Sequence, residues 1–316
     1  MHALRTRTGV LIVGGLLAAV LFLSVPGAEL WRKVLQDAAH GPVFAVVAVV
    51  LALMRPPRGL QAARPVPVLC QSGAIAVLCG AAAEVIQHFM PDRSMSLLDV
   101  LHDAAGATFG LALLYLVERG VRPLRGGVTP ILLAIVALVV VARDPVTCAV
   151  AYAGRATQFP VLLQAKGAGS HYFLRGDEAE VRAVELPAAY AHRAHDAALQ
   201  VAYAPRSQPG LQLFEPAGDW RGYQAVLLDV TNPGDRPLPL VLRIADATTN
   251  WATWDRLNHA LTVPARSRIT VRVPMAEVEA APRGRPMDLA RIADVMVFAP
   301  RPAPGTDFYV SRLWLE

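Results

Sequence analysis

Charged residues are scarce in this sequence. Asp, Glu, Lys and Arg make up only 17% of its 316 residues, whereas 54% are hydrophobic. A soluble domain seldom has this composition, and the apolar excess lies before about residue 142. We therefore predict a membrane-embedded half followed by a soluble half. The net charge of +5 comes without a basic patch rich in aromatic residues, so no nucleic-acid partner is predicted.

Cysteine is rare as well, and the three cysteines form no disulfide framework. Cys70 and Cys79 fall within one predicted helix, too far apart to bridge, and Cys148 has no obvious partner. The sequence also contains no P-loop and none of the G-x-S-x-G, H-E-x-x-H or C-x-x-C patterns. The familiar signatures of nucleotide binding, serine hydrolysis, zinc proteolysis and dithiol chemistry are therefore absent, and no cofactor is predicted.

Long apolar runs fill the first half instead. Five of them have close to the ~20 residues that an α-helix needs to cross a membrane. The predicted transmembrane helices are residues 9–25, 36–54, 66–89, 97–117 and 128–142. We therefore expect a multi-pass helical bundle over residues 1–145 and a second domain over residues 150–316.

Arginines between these runs predict the orientation of the helices. They are concentrated in the N-terminus, the second loop and the fourth loop, whereas the first and third loops carry both signs of charge. The arginines concerned are Arg5, Arg7, Arg55, Arg58, Arg64, Arg119, Arg122 and Arg125. By the positive-inside rule these segments are cytoplasmic. Five spans then predict a protein of the cytoplasmic (inner) membrane with its N-terminus in the cytoplasm and its C-terminal domain outside.

Ionisable and amide side chains recur at the predicted outer ends of three helices. The members of this polar cluster are Asp37, His40, Glu84, Gln87, Arg93, Asp99 and Asp103. Ionisable groups at membrane depth are costly and usually face a bundle interior or a water-filled cavity, so the cluster is the candidate catalytic site. A structural explanation stays open for the acids at helix N-termini, because they interact favourably with the helix dipole.

Two arrangements of the polar cluster are compatible with the sequence. Glu84, Asp99 and His40 resemble the carboxylate and histidine sets that bind metals inside helical bundles. Alternatively, Arg93 bridges Glu84 and Asp99 while Asp37 holds His40, because buried acids are normally paired. From the sequence we favour the arginine-paired arrangement, so no metal ion is predicted.

The same residues carry a family resemblance. The segments D-A-A-H-G-P-V-F (37–44), E-V-I-Q-H-F-M-P-D-R-S-M-S-L-L-D (84–99) and A-A-G-A-T-F-G (104–110) resemble the VanZ-like membrane family, over about residues 30–117. Founding members of that family are associated with glycopeptide (teicoplanin) resistance, so the resemblance implies a role in the cell envelope. It also implies that the family's marked positions are Asp37, His40, Glu84, Gln87, Arg93 and Asp99. Asp103 departs from the family, which usually has asparagine there.

Short alternating runs replace the apolar blocks after about Tyr152. The residues predicted to face a core are Leu238, Leu240, Leu242, Ile244, Ile269, Val271 and Val273, and those predicted to face outward are Arg268, Thr270 and Arg272. Several such strands, separated by turn signals such as NPGD, predict an all-β jelly-roll sandwich. About residues 205–316 resemble the galactose-binding-like jelly rolls, which include many carbohydrate-binding modules. That resemblance implies a sugar-binding domain.

The segment NWATWDRLNH is the candidate ligand-binding site of this sandwich. Trp251 and Trp254 lie beside Asp246 and Asn250 in the sequence. Flat aromatic faces with nearby polar groups suit sugar rings. The alternative, equally open, is that both tryptophans cap the core of the sandwich.

Two functions are compatible with these features. The first is a cell-envelope membrane protein that binds or processes a glycan or lipid-linked glycan at the outer face of the bilayer. The second is a non-catalytic membrane scaffold or receptor whose sandwich binds a polysaccharide or a protein partner. The sequence leaves open whether a reaction is catalysed and what the oligomeric state is.

Overall fold

The computed structural model describes residues 2–23, 25–27, 29–55, 66–90, 95–119, 128–167, 170–177, 179–192, 195–203, 210–250, 252, 255–300 and 306–316. The chain divides into two compact units, Met1–Cys148 and Ala149–Glu316. The first unit is helical and the second is built mainly from β-strands.

The described residues of the first unit form six helices, and the last of them continues into the second unit. They are α1 His2–Phe22, α2 Leu30–Ala38, α3 His40–Leu53, α4 Val66–His88, α5 Leu97–Arg119 and α6 Val128–Gln158. Only Ala39 separates α2 from α3. Pro42 explains the interruption, because its ring removes one backbone donor and crowds the carbonyl four residues earlier.

Four helical segments, rather than the five predicted, are long and apolar enough to cross a membrane among the described residues. They are Leu30–Leu53, Val66–His88, Leu97–Glu118 and Val128–Gln158. The apolar part of α1, Thr6–Phe22, is shorter than these. The predicted fifth crossing is therefore shorter than the other four.

Two of these segments extend beyond their predicted bounds. The second predicted span begins at Leu30 instead of residue 36, because α2 carries Arg32 and Lys33 and so escapes a search for apolar runs. The last span ends at Gln158 instead of residue 142. Its helix passes through Pro145 and continues along an alanine-containing stretch that favours helix.

Close contact between α3 and α5 forms the centre of the bundle. The buried core comprises Phe44, Val47, Ala48, Ala52, Leu69, Ala76, Ala107 and Leu111. A Cβ atom at Gly106 would overlap the backbone of Gly41, and one at Gly110 would overlap the backbone of Ala45. Small residues at this spacing let two helix backbones approach closely, so these two glycines serve the packing of α3 against α5.

The second unit contains eleven strands among its described residues. They are β1 Val161–Gln164, β2 Leu174–Asp177, β3 Ala179–Glu185, β4 Ala197–Tyr203, β5 Gly210–Phe214, β6 Ala225–Asn232, β7 Leu238–Asp246, β8 Leu257–Val263, β9 Ser267–Pro274, β10 Ile292–Phe298 and β11 Asp307–Leu315. A short 3₁₀ helix, Ser170–Phe173, precedes β2, and helix α7, Met275–Ala280, follows β9.

These strands form two antiparallel sheets. One has the order β3-β4-β11-β6-β9, with β1 also paired to β11, and the other has the order β2-β5-β10-β7-β8. Consecutive strands repeatedly change sheet, as from β6 to β7 and from β8 to β9, which is typical of a jelly roll. The predicted all-β sandwich is confirmed.

The alternation within β7 gives the expected core face. Leu238, Leu240, Leu242 and Ile244 are all buried. In β9 Arg268 lies on the face away from the core, as predicted, but its side chain is only 11% exposed and forms ion pairs with both Asp196 and Asp229. The segment around Tyr190 covers this face and accepts a hydrogen bond from the Arg268 guanidinium at 2.9 Å.

Candidate functional site

Buried polar side chains gather where α3 begins, α4 ends and α5 begins. His40 and His102 are each 6% exposed, Gln87 is 3%, Glu84 is 1% and Asp103 is fully buried. Groups of this kind are rarely buried inside an apolar bundle unless they are paired or serve a site. The polar cluster predicted from the sequence is therefore largely a three-dimensional cluster, with the exceptions given below.

His40 and Asp103 form the central pair of the polar cluster. The His40 Nδ1 atom lies 2.9 Å from Asp103 Oδ1, across 63 residues of sequence. The arrangement in which Asp37 holds His40 is therefore wrong. Local spacing along one helix favoured Asp37, whereas the contact between α3 and α5 brings Asp103 to the ring.

Glu84 and Asp99 meet at the beginning of α5. Ser96 acts as the N-terminal cap of this helix, since its Oγ accepts a hydrogen bond from the Asp99 backbone N–H at 3.2 Å. In an ordinary capping box the acid at the third helical position accepts a bond from the cap's own N–H. Here Glu84 Oε2 accepts that bond instead, at 2.8 Å. The Asp99 carboxylate is thereby released from capping its own helix.

The consequence is a set of three ligand-type groups from three helices. Ligand atoms of His40, Glu84 and Asp99 all lie within 4.8 Å of one another. Glu84 Oε1 is buried and has no hydrogen-bond partner among the described residues. Asp103 Oδ2 is likewise buried and has no hydrogen-bond partner in the described part of the chain.

Gln87 and Arg93 differ from the rest of the predicted cluster. Gln87 donates from Nε2 to the backbone carbonyl of Val20, at 3.1 Å, and so satisfies an acceptor in the last turn of α1. Its contact is therefore structural. Arg93 lies outside the described residues, and its predicted bridge between Glu84 and Asp99 stays a prediction.

One further contact of the cluster has no signal in the sequence. His102 Nε2 lies 3.8 Å from Asp144 Oδ2 on α6, and His102 Nδ1 is buried without a partner among the described residues. Ser96 was also missed, although the S-x-x-D pattern at 96–99 is a recognisable capping signal.

An apolar cleft adjoins the polar cluster. It has a volume of about 890 Å³ and is lined by residues of α1, α2, α3 and α6. His40 and Gln36 are the polar residues of its lining, and the others carry alanine, valine, leucine or proline side chains. The cluster and the cleft therefore share His40.

In the sandwich, Asp246 holds a loop and offers no free oxygen. Its carboxylate accepts hydrogen bonds from both terminal nitrogens of Arg285 and from the backbone N–H groups of Thr248 and Asp288. Burial raises the pKa of Asp246, but the bonds from Arg285, Asp288 and Thr248 outweigh burial and lower that pKa to about 2. Asp246, only 3% exposed, acts as a structural anchor, and its predicted contact with a ligand stays a prediction that this geometry disfavours.

The other predicted ligand-binding residues of the sandwich follow Asp246 in the sequence. Asn250 is exposed in the turn after β7, and its Oδ1 accepts a hydrogen bond from the Ala252 backbone N–H at 3.0 Å. Trp251 and Trp254 lie outside the described residues. The aromatic part of the predicted sugar site stays a prediction.

Comparisons with known proteins give no sequence relative. No family model and no curated protein matches the chain, so the resemblance to the VanZ-like family, including its link to glycopeptide resistance, stays a prediction. Solved structures with some likeness include an exo-β-agarase, at 11% identity and a TM-score of 0.37, covering 46% of this chain and 23% of that one.

Two carbohydrate-binding modules are also among the similar structures. A family 11 module from Clostridium thermocellum, in complex with a β-1,3-1,4-mixed-linked tetrasaccharide, has 14% identity and a TM-score of 0.35, covering 49% of this chain and 93% of that one. A module specific for non-crystalline cellulose has 10% identity and a TM-score of 0.34, covering 50% and 93%. The chain spans about a quarter of the length of the agarase.

Proposed function

We propose that this chain is an integral protein of the cytoplasmic membrane that binds a lipid-linked glycan at the outer face of the bilayer. The observation that carries the proposal is the polar cluster beside the apolar cleft, with His40 common to both. An amphipathic ligand needs these two environments next to each other: apolar walls for its chain and fixed polar groups for its head.

The outer surfaces of the helices support the membrane environment. Large apolar side chains are exposed along one helix after another, for example Leu132, Ile135, Val136 and Val139 on α6. A soluble protein rarely exposes such extended apolar surface. In a bilayer these side chains contact lipid, and the buried polar groups lie inside the bundle.

Helix α1 is proposed as a fifth crossing. Gly9 lies against Met54 just beyond the end of α3, and the Val20 carbonyl receives the hydrogen bond from Gln87 near the end of α4. Helix α1 therefore runs along the bundle from one end to the other. With about 17 apolar residues as the lower limit for a span, Thr6–Phe22 is just long enough.

Five crossings and the positive-inside rule give the proposed orientation. The arginine-rich segments are then cytoplasmic, and the ends of the helices that carry the polar cluster are outside. The sandwich, which follows the last crossing, is on the same outer side. Its proposed role is to bind the glycan, and Trp251 and Trp254 are its proposed stacking residues.

A binding measurement on the full-length protein in detergent tests the proposal. The probe is a polyprenyl-diphosphate-linked disaccharide, compared by native mass spectrometry with the same disaccharide diphosphate without its chain. Since each buried CH₂ contributes about 0.8 kcal/mol, we expect the chain-free probe to bind at least tenfold more weakly. Replacing Ala142, which lines the cleft, by Trp removes the space for the chain and is expected to abolish the difference between the two probes.

Val139→Trp is the matched control, because Val139 lies one turn earlier on α6 and is 61% exposed. This variant is expected to bind both probes as the unmodified protein does. Equal affinity of the unmodified protein for both probes would contradict the proposal, as would equal effects of the two tryptophan substitutions.

A non-catalytic scaffold is the second candidate. It is favoured by the contacts that join helices through polar side chains, such as Gln87 with the Val20 carbonyl and Glu84 with the Ser96 N–H. In that case the cluster stabilises the bundle, and the sandwich alone binds a polysaccharide or protein partner.

A further inference from the structure

Three helices each place one side chain at the same point of the bundle, and each of these side chains is of a type that often binds metal ions. His40 begins α3, Glu84 belongs to the last two turns of α4, and Asp99 belongs to the first turn of α5. Three ligand atoms within 4.8 Å of one another have a common centre no more than about 2.8 Å from each. Metal–ligand distances for imidazole nitrogen and carboxylate oxygen are roughly 2.0–2.2 Å, so small side-chain rotations close the remaining gap.

A second observation, independent of this spacing, indicates a missing ligand. Glu84 is 1% exposed, yet its Oε1 has no hydrogen-bond partner among the described residues. Leaving a buried carboxylate oxygen unpaired is costly, and buried charges are normally paired or coordinate a metal. No arginine or lysine in the described part of the chain forms an ion pair with Glu84, Asp99 or Asp103.

The orientation of His40 is that of a metal-binding histidine. Metal-ligating histidines usually donate their other ring N–H to a carboxylate, which fixes the tautomer and increases the basicity of the ligating nitrogen. Asp103 Oδ1 lies 2.9 Å from His40 Nδ1 and supplies this carboxylate. With Nδ1 engaged, Nε2 is the nitrogen available to an ion.

We propose that His40, Glu84 and Asp99 bind one divalent transition-metal ion, with Asp103 as the positioning residue for His40. One imidazole and two carboxylates form a mixed nitrogen and oxygen set, which suits Mn²⁺ or Zn²⁺ better than Ca²⁺, whose ligands are oxygens. The three protein ligands leave at least one coordination position for water or for an oxygen of a bound molecule. Two units of positive charge also offset the acids that this end of the bundle buries.

The test is a metal titration of the full-length protein in detergent, after treatment with a chelator. Mn²⁺ binding is followed by electron paramagnetic resonance, and Zn²⁺ content is measured by inductively coupled plasma mass spectrometry after removal of free metal. We expect one ion per chain. His40→Ala, Glu84→Gln and Asp99→Asn are each expected to reduce the affinity by at least a hundredfold, and Asp103→Asn by about tenfold to a hundredfold.

Two control variants change a histidine and an acid on the same helices that do not belong to the three proposed ligands. His88→Ala removes an exposed histidine one turn after Glu84 on α4, and Glu118→Gln removes an exposed acid at the far end of α5. Both are expected to bind the ion as the unmodified protein does. Circular dichroism of every variant separates loss of the ion from loss of the fold.

The unmodified protein decides the proposal even if a ligand variant fails to fold. Without stoichiometric Mn²⁺ or Zn²⁺ in the unmodified protein, the site does not exist. Binding that survives both His40→Ala and Glu84→Gln in folded protein would overturn the assignment as well. No lipid or glycan enters the measurement, so this proposal and the proposed ligand can each fail without the other.

Discussion

Asp246 in the sandwich and two buried acids in the bundle, Glu84 and Asp103, differ in how fully their carboxylates are hydrogen-bonded. In the sandwich, Asp246 is surrounded by donors: Arg285, the hydroxyl groups of Thr248 and Thr249, and two backbone N–H groups. In the bundle, Glu84 and Asp103 each keep one buried oxygen without a partner among the described residues. A fully bonded carboxylate stabilises a fold, whereas one with an unused oxygen costs stability that a ligand can recover. By this comparison Asp246 is a structural anchor, whereas Glu84 and Asp103 belong to a candidate ligand site.

The largest effect is expected from removing the partner of Asp246. Arg285→Met leaves the buried Asp246 carboxylate without its guanidinium, and breaking a buried pair in this way costs about 3–5 kcal/mol. Arg285 is 27% exposed, so we expect the lower end of that range. Urea unfolding followed by intrinsic tryptophan fluorescence, to which the buried Trp220 contributes, measures it.

The control is Arg221→Met, which removes an arginine from the exposed Asp219 pair and should leave the unfolding midpoint unchanged. A midpoint that moves equally in both variants would mean that Asp246 is not an anchor.

A smaller effect is expected from pH. The folded-state pKa of Asp246, about 2, is below its ordinary value of 3.8, so its contribution to stability is present above pH 3.8 and is lost as the pH falls towards 2. This contribution is on the order of 2 kcal/mol. Other acids titrate in the same range, and the comparison with Asp246→Asn removes their contribution.

The measurement is the difference in unfolding free energy between the unmodified protein and Asp246→Asn from pH 5 to pH 2. We expect this difference to shrink over that range. A constant difference would show that Asp246 does not titrate as its contacts require.

The smallest effect on stability is expected in the bundle. Glu84→Gln retains the shape of the side chain and an oxygen that accepts from the Ser96 N–H, so the unfolding free energy should change by less than about 1 kcal/mol. Binding of the lipid-linked probe should nevertheless fall by at least tenfold. Gln87→Met is the matched structural control, because it leaves the Val20 carbonyl without its donor and should lower the melting temperature while binding is retained.

The scaffold function makes a different prediction for Glu84→Gln. If this variant, like Gln87→Met, leaves binding of the probe unchanged, then the polar cluster stabilises the bundle and binds no ligand.

Much of this architecture was predictable from local patterns. The acids and histidines at the helix ends are conspicuous because they interrupt apolar runs, and strands such as β7 have a clear period of two. Partners across the fold were not predictable. His40 was assigned to Asp37 because the two share a helical face, but Asp103, 63 residues away, forms the contact.

The same limit applies to Glu84 and to β8. Nothing in the sequence indicates that Glu84 accepts the N–H of Ser96, because the bond depends on how α4 and α5 meet. Strand β8, with Leu257 and Val263 buried, begins within the segment NWATWDRLNH, and that segment was interpreted as a ligand-binding site rather than as a strand. Sequence patterns specify which groups are available, and tertiary packing decides which of them meet.

Gly80 gives position 80 unusual influence over the chemistry of the bundle. A Cβ atom there would strike the Asp103 carboxylate, so the space that this carboxylate fills exists only because α4 has no side chain at this point. Even alanine would push Asp103 away and release the ring of His40. Gly80, which has no functional group, thus determines where the Asp103 carboxylate lies. A substitution at this position can change the hydrogen bonding of His40 while every polar residue of the cluster stays the same.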